Sequence, residues 1–121
     1  MKQKILAVVL LIGVITFVTV NTIVLNKQIE ATIDEVKSLS LEEENAESEA
    51  RKMHDAFMKK EKYMSVTVSH DDLTSIEDCF VEMIGFLSVG DVQNAAVTKS
   101  RLISFLEHLR RLSGFNIDAI I

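Results

Sequence analysis

The first twenty-five residues constrain this chain more than any other segment. From Ile5 to Leu25 the sequence is apolar and uncharged, interrupted only by one glycine, three threonines and one asparagine. A helix rises about 1.5 Å per residue, so this stretch would be about 30 Å long, the thickness of a bilayer's hydrocarbon core. A helix also satisfies its own backbone polar groups, as lipid requires. The sequence therefore predicts a transmembrane anchor over residues 1–25, with the lipid bilayer as its partner.

A cleaved signal peptide is the competing interpretation, because Met1, Lys2 and Lys4 form a positive region before the apolar run. The run exceeds a typical signal core, however, and no A-x-A-like pair of small residues closes it. We therefore expect an uncleaved, single-pass protein of the cell membrane. The number of lysines is nearly the same before the span (Lys2 and Lys4) and after it (Lys27 and Lys37), so the positive-inside rule alone does not decide the orientation. The other topology would carry the lysines and the amino group of the short N-terminal tail across the bilayer, which favours a cytoplasmic N-terminus and an extracytoplasmic C-terminal domain.

Composition limits what lies beyond the anchor. The chain has 121 residues and a net charge of −5, which leaves room for one small domain. No basic face is apparent, and this argues against a nucleic-acid partner. Cys79 is the only cysteine, so an intrachain disulfide is excluded and a small buried side chain is expected. Proline is absent and there are only four glycines, which favours an all-α chain.

The apolar spacing after the anchor indicates one long helix. Apolar residues recur every three or four positions, lapse near Glu43, and resume from Ala46 to Met64. We therefore expect the transmembrane helix to continue into a long juxtamembrane helix over residues 26–68, loosest over the acidic run around Glu43.

Residues 69–121 are predicted to form a helical hairpin with a C-terminal tail. Ser69 and Asp72 make a capping box for one helix, which stops at Gly90. Asp91 is a suitable N-cap for the next helix, which is expected to end at Gly114 before an extended tail. The short connection at Gly90 requires the two helices to be antiparallel.

The size of this hairpin predicts a need for partners. About fifty residues rarely bury enough apolar surface to be stable alone, so the second half of the long helix is expected to close a three-helix bundle. The first half would then keep an unmatched apolar stripe, available to a second copy or another membrane protein. The candidate interaction residues are Ile29, Ile33, Val36 and Leu39.

No phosphate loop, catalytic set or metalloprotease motif occurs in the sequence. We therefore expect a non-enzymatic interaction or scaffold module without a cofactor, serving as an accessory subunit of a membrane complex. His54 is expected on the surface of the long helix.

One cluster of polar residues offers an alternative function. A hairpin turning near residue 90 brings residues near 70 and near 110 to the same end. The structural interpretation is a clasp, in which acids suit one helix N-terminus while His108, Arg110 and Arg111 suit the other helix's C-terminus. The alternative is a small sensor or a metal-binding or ligand-binding bundle. Its candidate ligands are His70, Asp72, Glu107 and His108.

Two short segments carry a resemblance to a known family. The first contains His70, Asp71, Asp72, Leu73, Ile76 and Glu77, the second contains Leu102, Ile103, Leu106, Glu107 and His108, and Asn116 with Ile117 follow near the end. Behind an anchor and a charged helix, these segments resemble the bacterial domain of unknown function forty-three sixty-three, a family of small single-pass membrane proteins. Asp72 and Thr74 stand where that family carries a glutamate and a second acid, and its tryptophan before the histidine is absent, with Tyr63 the nearest aromatic. The resemblance implies location and architecture, and no activity.

Overall fold

The computed structural model describes the backbone of residues 1–64 and 68–120 and the side chains of residues 1–62 and 68–112. Within these ranges the chain forms four helices: α1 (Lys2–Ser38), α2 (Ala46–Met64), α3 (His70–Ser88) and α4 (Val92–Ile120). The predictions of an all-helical chain and of one long apolar N-terminal helix are confirmed.

Helix α1 has two environments along its length. Every side chain of residues 1–17 is exposed, and most of them are apolar. From Thr22 onward one face is buried, and Leu25 is the first apolar residue of the core. The helix therefore projects from a packed bundle by its N-terminal half and belongs to that bundle by its C-terminal half.

The prediction of one long helix over residues 26–68 is wrong. Helix α1 ends at Ser38, Leu39 adopts an extended backbone (φ −69°, ψ 117°), and α2 begins only at Ala46. In a continuous helix Glu43 and Glu44 would face Glu47 as like charges, and the exposed glutamates at positions 42–44 gain nothing from the core, so a helix through this segment is disfavoured. Because the chain reverses here, α2 packs back against α1.

The four helices contact one another in a closed order. Helix α1 contacts α2 and α4, and α3 contacts α2 and α4. Consecutive helices are joined by short connections and are therefore antiparallel. The three-helix bundle expected from the sequence is replaced by a packing that includes the C-terminal half of α1. At its centre the rings of Phe57 on α2 and Phe80 on α3 lie 5.6 Å apart between centroids.

The connections around α3 follow the expected chemistry. The Ser69 hydroxyl accepts a hydrogen bond from the Asp72 backbone N–H at 3.1 Å. Gly90 has φ +76°, a conformation that L side chains rarely adopt. The Asp91 carboxylate accepts from the Asn94 backbone N–H at 3.1 Å, which caps the start of α4. The predicted start of α3 and the predicted hairpin turn are therefore confirmed.

The predicted end of the last helix is wrong. Helix α4 passes through Gly114 and continues to Ile120, so the backbone of residues 115–120 is helical where an extended tail was expected. A single glycine costs a helix interior only about 1 kcal/mol relative to alanine, and no proline follows to stop the helix. The side chains of this segment lie outside the described ones.

Candidate functional site

The exposed apolar half of α1 is the most distinctive surface of the structure. Large apolar side chains face outward on all sides of this segment, from Ile5 at 63% exposure to Phe17 at 68%. A water-soluble protein rarely exposes so large a continuous apolar surface, because each square ångström left in water costs about 25 cal/mol. Among the described residues α1 is the one helix long and apolar enough to cross a membrane.

The predicted interaction stripe is buried inside the chain. Ile29 and Val36 are fully buried, and Ile33 and Leu39 are 3% and 5% exposed. All four belong to one core that also includes Leu102 of α4. The expectation that this stripe is unmatched is therefore wrong, because α4 covers it once the chain reverses after Ser38. Self-association of the chain stays a prediction.

A lysine fixes the reversal that makes this burial possible. The Lys99 ammonium on α4 donates to the Leu39 carbonyl at 2.7 Å and lies 3.4 Å from the Lys37 carbonyl. These carbonyls lie at and just beyond the end of α1, where the helix leaves acceptors unpaired. A cation is also favoured at this negative end of the helix dipole. The sequence analysis missed this role, because nothing in the local pattern links two positions about sixty residues apart.

The four candidate metal ligands do not form a metal site. Glu107 lies against α1, where its carboxylate is 3.4 Å from the Lys37 ammonium, while His70 and His108 are exposed. In the described part of the chain, no group of three or more histidine, cysteine or acidic side chains is placed to hold a metal ion. The structure therefore does not bring His70, Asp72, Glu107 and His108 together as a metal site.

The prediction of a clasp between the start of α3 and the end of α4 is only partly correct. Asp71 and Asp72 do lie in the first turn of α3, as a positive helix end favours. His108, Arg110 and Arg111, however, are nine or more residues before the end of α4 and cannot interact with the dipole of its last turn.

The prediction of a surface position for His54 is also wrong. The ring of His54 is half-buried and lies 5.6 Å from the Phe80 ring, and its Nε2 atom is buried without a hydrogen-bond partner in the described residues. The apolar spacing of α2 placed Met53 and Phe57 on the inner face, and His54 borders that face.

Cys79 is buried at 3% exposure, as predicted for a small core side chain. It borders a groove of about 210 Å³ between α3 and α4 that also includes Asp78, Glu82, Arg101 and Phe105. Burial raises the pKa of the thiol above its ordinary value; the nearby Arg101 opposes that rise and the carboxylates of Glu82 and Asp78 add to it. Burial and the raised pKa both favour the protonated form of the thiol in the folded protein.

Comparison with family models, with curated proteins and with solved structures finds no match for this chain. The resemblance to the bacterial domain family named above stays a prediction.

Proposed function

We propose that this chain is a single-pass membrane protein whose helical bundle acts outside the cytoplasm as a non-enzymatic interaction module. The observation that supports this proposal is the continuity of α1. One uninterrupted helix supplies both the exposed apolar segment and a full side of the bundle core. A module built in this way is held at a fixed height and angle on the bilayer, as a scaffold or an accessory subunit requires.

We also propose that any contact with a second copy or with another membrane protein uses the part of α1 that lies within the bilayer. The apolar stripe from Ile29 to Leu39 is covered by α4, whereas the apolar side chains of residues 5–17 have no neighbours in the bundle. Lipid-facing helices associate by side-chain packing within the membrane. Light scattering in detergent that gives a monomer at every concentration would exclude self-association.

The anchor is tested by extraction and by sequencing. We expect the full-length protein to stay with membranes in alkaline carbonate and to keep Met1 or Lys2 at its N-terminus. Release into the supernatant, or mature protein that begins after residue 20, would contradict the proposal.

The topology is tested with single cysteines. In a Cys79→Ser background, Lys2→Cys and Val89→Cys each place one thiol at an exposed position, at opposite ends of the protein. A membrane-impermeant maleimide added to intact cells should label position 89 and spare position 2. The reverse labelling would show that the bundle is cytoplasmic. Crosslinking in the native membrane, with the same two variants, would then identify what the bundle contacts.

A further inference from the structure

Ten of the thirteen basic residues, all except Lys2, Lys4 and Lys62, fall into two groups by what they contact. In the described residues the ion pairs involve Lys37, Arg51, Lys52 and Arg101. Lys99 donates to backbone carbonyls at the end of α1. These five cations all serve contacts within the bundle, and none of them lies near the apolar segment of α1.

A second group of cations makes no such contacts. It consists of Lys27, Lys59, Lys60, Arg110 and Arg111, and we call it the basic end. No ion pair joins any of these five to a carboxylate among the described residues. Lys60 is half-buried and the other four are exposed.

The topology places the basic end next to the anchor. Helix α2 starts where α1 ends and runs back along it, so the last turns of α2, with Lys59 and Lys60, reach the level of Leu25. Helix α3 has 19 residues, and α4 returns beside it, so residues 110 and 111 of α4 lie level with the start of α3. Lys27 follows the apolar run of α1 directly.

Charge is distributed unevenly between the two ends of the bundle. The far turn, residues 39–50, contains five glutamates and no lysine or arginine. Acids also occur near the basic end: Glu30 lies one turn from Lys27, Asp55 lies one turn from Lys59, and Glu61, Asp71 and Asp72 are close in sequence. No ion pair joins any of them to the basic end among the described residues, and the two aspartates are in the first turn of α3, where they suit its positive end. The five cations of the basic end therefore have no carboxylate partner among the described residues, on the side that faces the anchor.

The length of the free part of α1 brings this end to the membrane surface. Residues 5–17 are exposed all round, and at about 1.5 Å per residue they span about 20 Å, too short for a hydrocarbon core of about 30 Å. The span must therefore extend toward Leu25, one side of which is packed in the bundle. The end of the bundle consequently meets the headgroup layer.

We propose that the basic end binds anionic phospholipid headgroups in the leaflet from which α1 emerges. Arginine and lysine near a membrane surface are attracted to anionic lipids, and arginine also pairs with phosphate through two hydrogen bonds. This inference rests on the proposed membrane anchor. It adds that the bundle selects its lipid neighbours by charge.

The test is the lipid preference of the full-length protein in bilayers. The protein is reconstituted in phosphatidylcholine vesicles that contain spin-labelled phosphatidylglycerol or spin-labelled phosphatidylcholine. The motionally restricted fraction of each probe gives their relative association with the protein. We expect phosphatidylglycerol to be preferred by about threefold or more at low salt and the preference to fall in 0.5 M NaCl.

Two double variants of α2 provide a matched comparison. Lys59→Gln with Lys60→Gln removes two charges at the basic end, and Arg51→Gln with Lys52→Gln removes two charges from the other half of the same helix. We expect the first variant to lose at least half of the preference and the second to keep it, with the same helical content by circular dichroism. Arg110→Gln with Arg111→Gln should act like the first.

The outcomes separate this inference from the anchor itself. Protein that does not float with the vesicles would contradict the anchor. Two results would overturn the proposed lipid binding by the basic end while leaving the anchor intact. One is protein that floats but associates equally with the two lipids, and the other is a loss of preference that is the same in both α2 variants.

Discussion

Replacement of Ile29 by alanine tests whether the apolar stripe of α1 belongs to the chain's own core. The Ile29 side chain is fully buried. Truncation of such a side chain to alanine costs about 2–5 kcal/mol, from lost burial and from the cavity left behind. Taking about 3 kcal/mol, and a factor of ten for each 1.4 kcal/mol, the open form of the bundle should become about a hundred times more populated.

Cys79 provides the assay without any added probe. It is the only cysteine and is 3% exposed, so an alkylating reagent reaches it mainly when the core opens. In detergent, with reclosing fast relative to labelling, the labelling rate of Ile29→Ala should therefore be about a hundred times that of the unchanged protein. Val97→Ala is the control, because Val97 is 67% exposed and its labelling rate should change by no more than about twofold.

The same assay distinguishes burial within one chain from burial between two. If α4 of the same chain covers Ile29, the labelling rates are independent of protein concentration. A labelling rate for Ile29→Ala equal to that of the unchanged protein would refute the intramolecular core. So would a rate for the unchanged protein that rises on dilution, because a second copy would then be covering the stripe.

Four further substitutions make separate predictions. Gly90→Ala should destabilise the protein by about 1–2 kcal/mol, because Gly90 has a positive φ. Gly85→Ala should instead stabilise it by about 0.5–1 kcal/mol, because Gly85 lies in the interior of α3 with open space around it. Urea unfolding followed by circular dichroism measures both changes. Lys99→Met should cost about 1.5–3 kcal/mol in the same assay, because it leaves the Leu39 carbonyl without its charged donor. The raised pKa of Cys79 contributes stability that is complete below pH 9.0 and is lost as the pH rises toward the higher pKa of the folded state. The free energy of unfolding should therefore fall less between pH 8 and pH 10 in Cys79→Ala than in the unchanged protein.

Local signals predicted the elements whose boundaries depend on local chemistry. The Ser69 cap and the Gly90 turn are both set by backbone groups within a few residues, so their sequence pattern is sufficient. The apolar run of α1 is equally local, because its length and its lack of charge are properties of one segment. Fold class and the start of α3 followed from these observations.

The remaining features depend on contacts distant in sequence. The lapse at Glu43 is compatible with either a loose helix or a turn, and the choice is made by the gain from packing α2 back on α1 and by the Lys99 contact. The same reversal buries the stripe from Ile29 to Leu39, which in isolation resembles a free interface. Gly114 failed as a stop signal because one glycine is too weak to end a helix.

The polar residues of α1 are compatible with the proposed anchor, in which one helix contacts both lipid and the protein core. The hydroxyls of Thr19, Thr22 and Thr32 each donate to the backbone carbonyl four residues earlier, at 2.8, 2.7 and 2.9 Å. Their polar groups are therefore satisfied within the helix, whatever surrounds it. Asn26 differs, since its Oδ1 atom is buried with no partner among the described residues, and the charged Lys27 follows it. In the proposed anchor, α1 therefore passes from hydrocarbon into the bundle without a break, and Lys27 would lie at the headgroup layer, because a charge is costly any deeper.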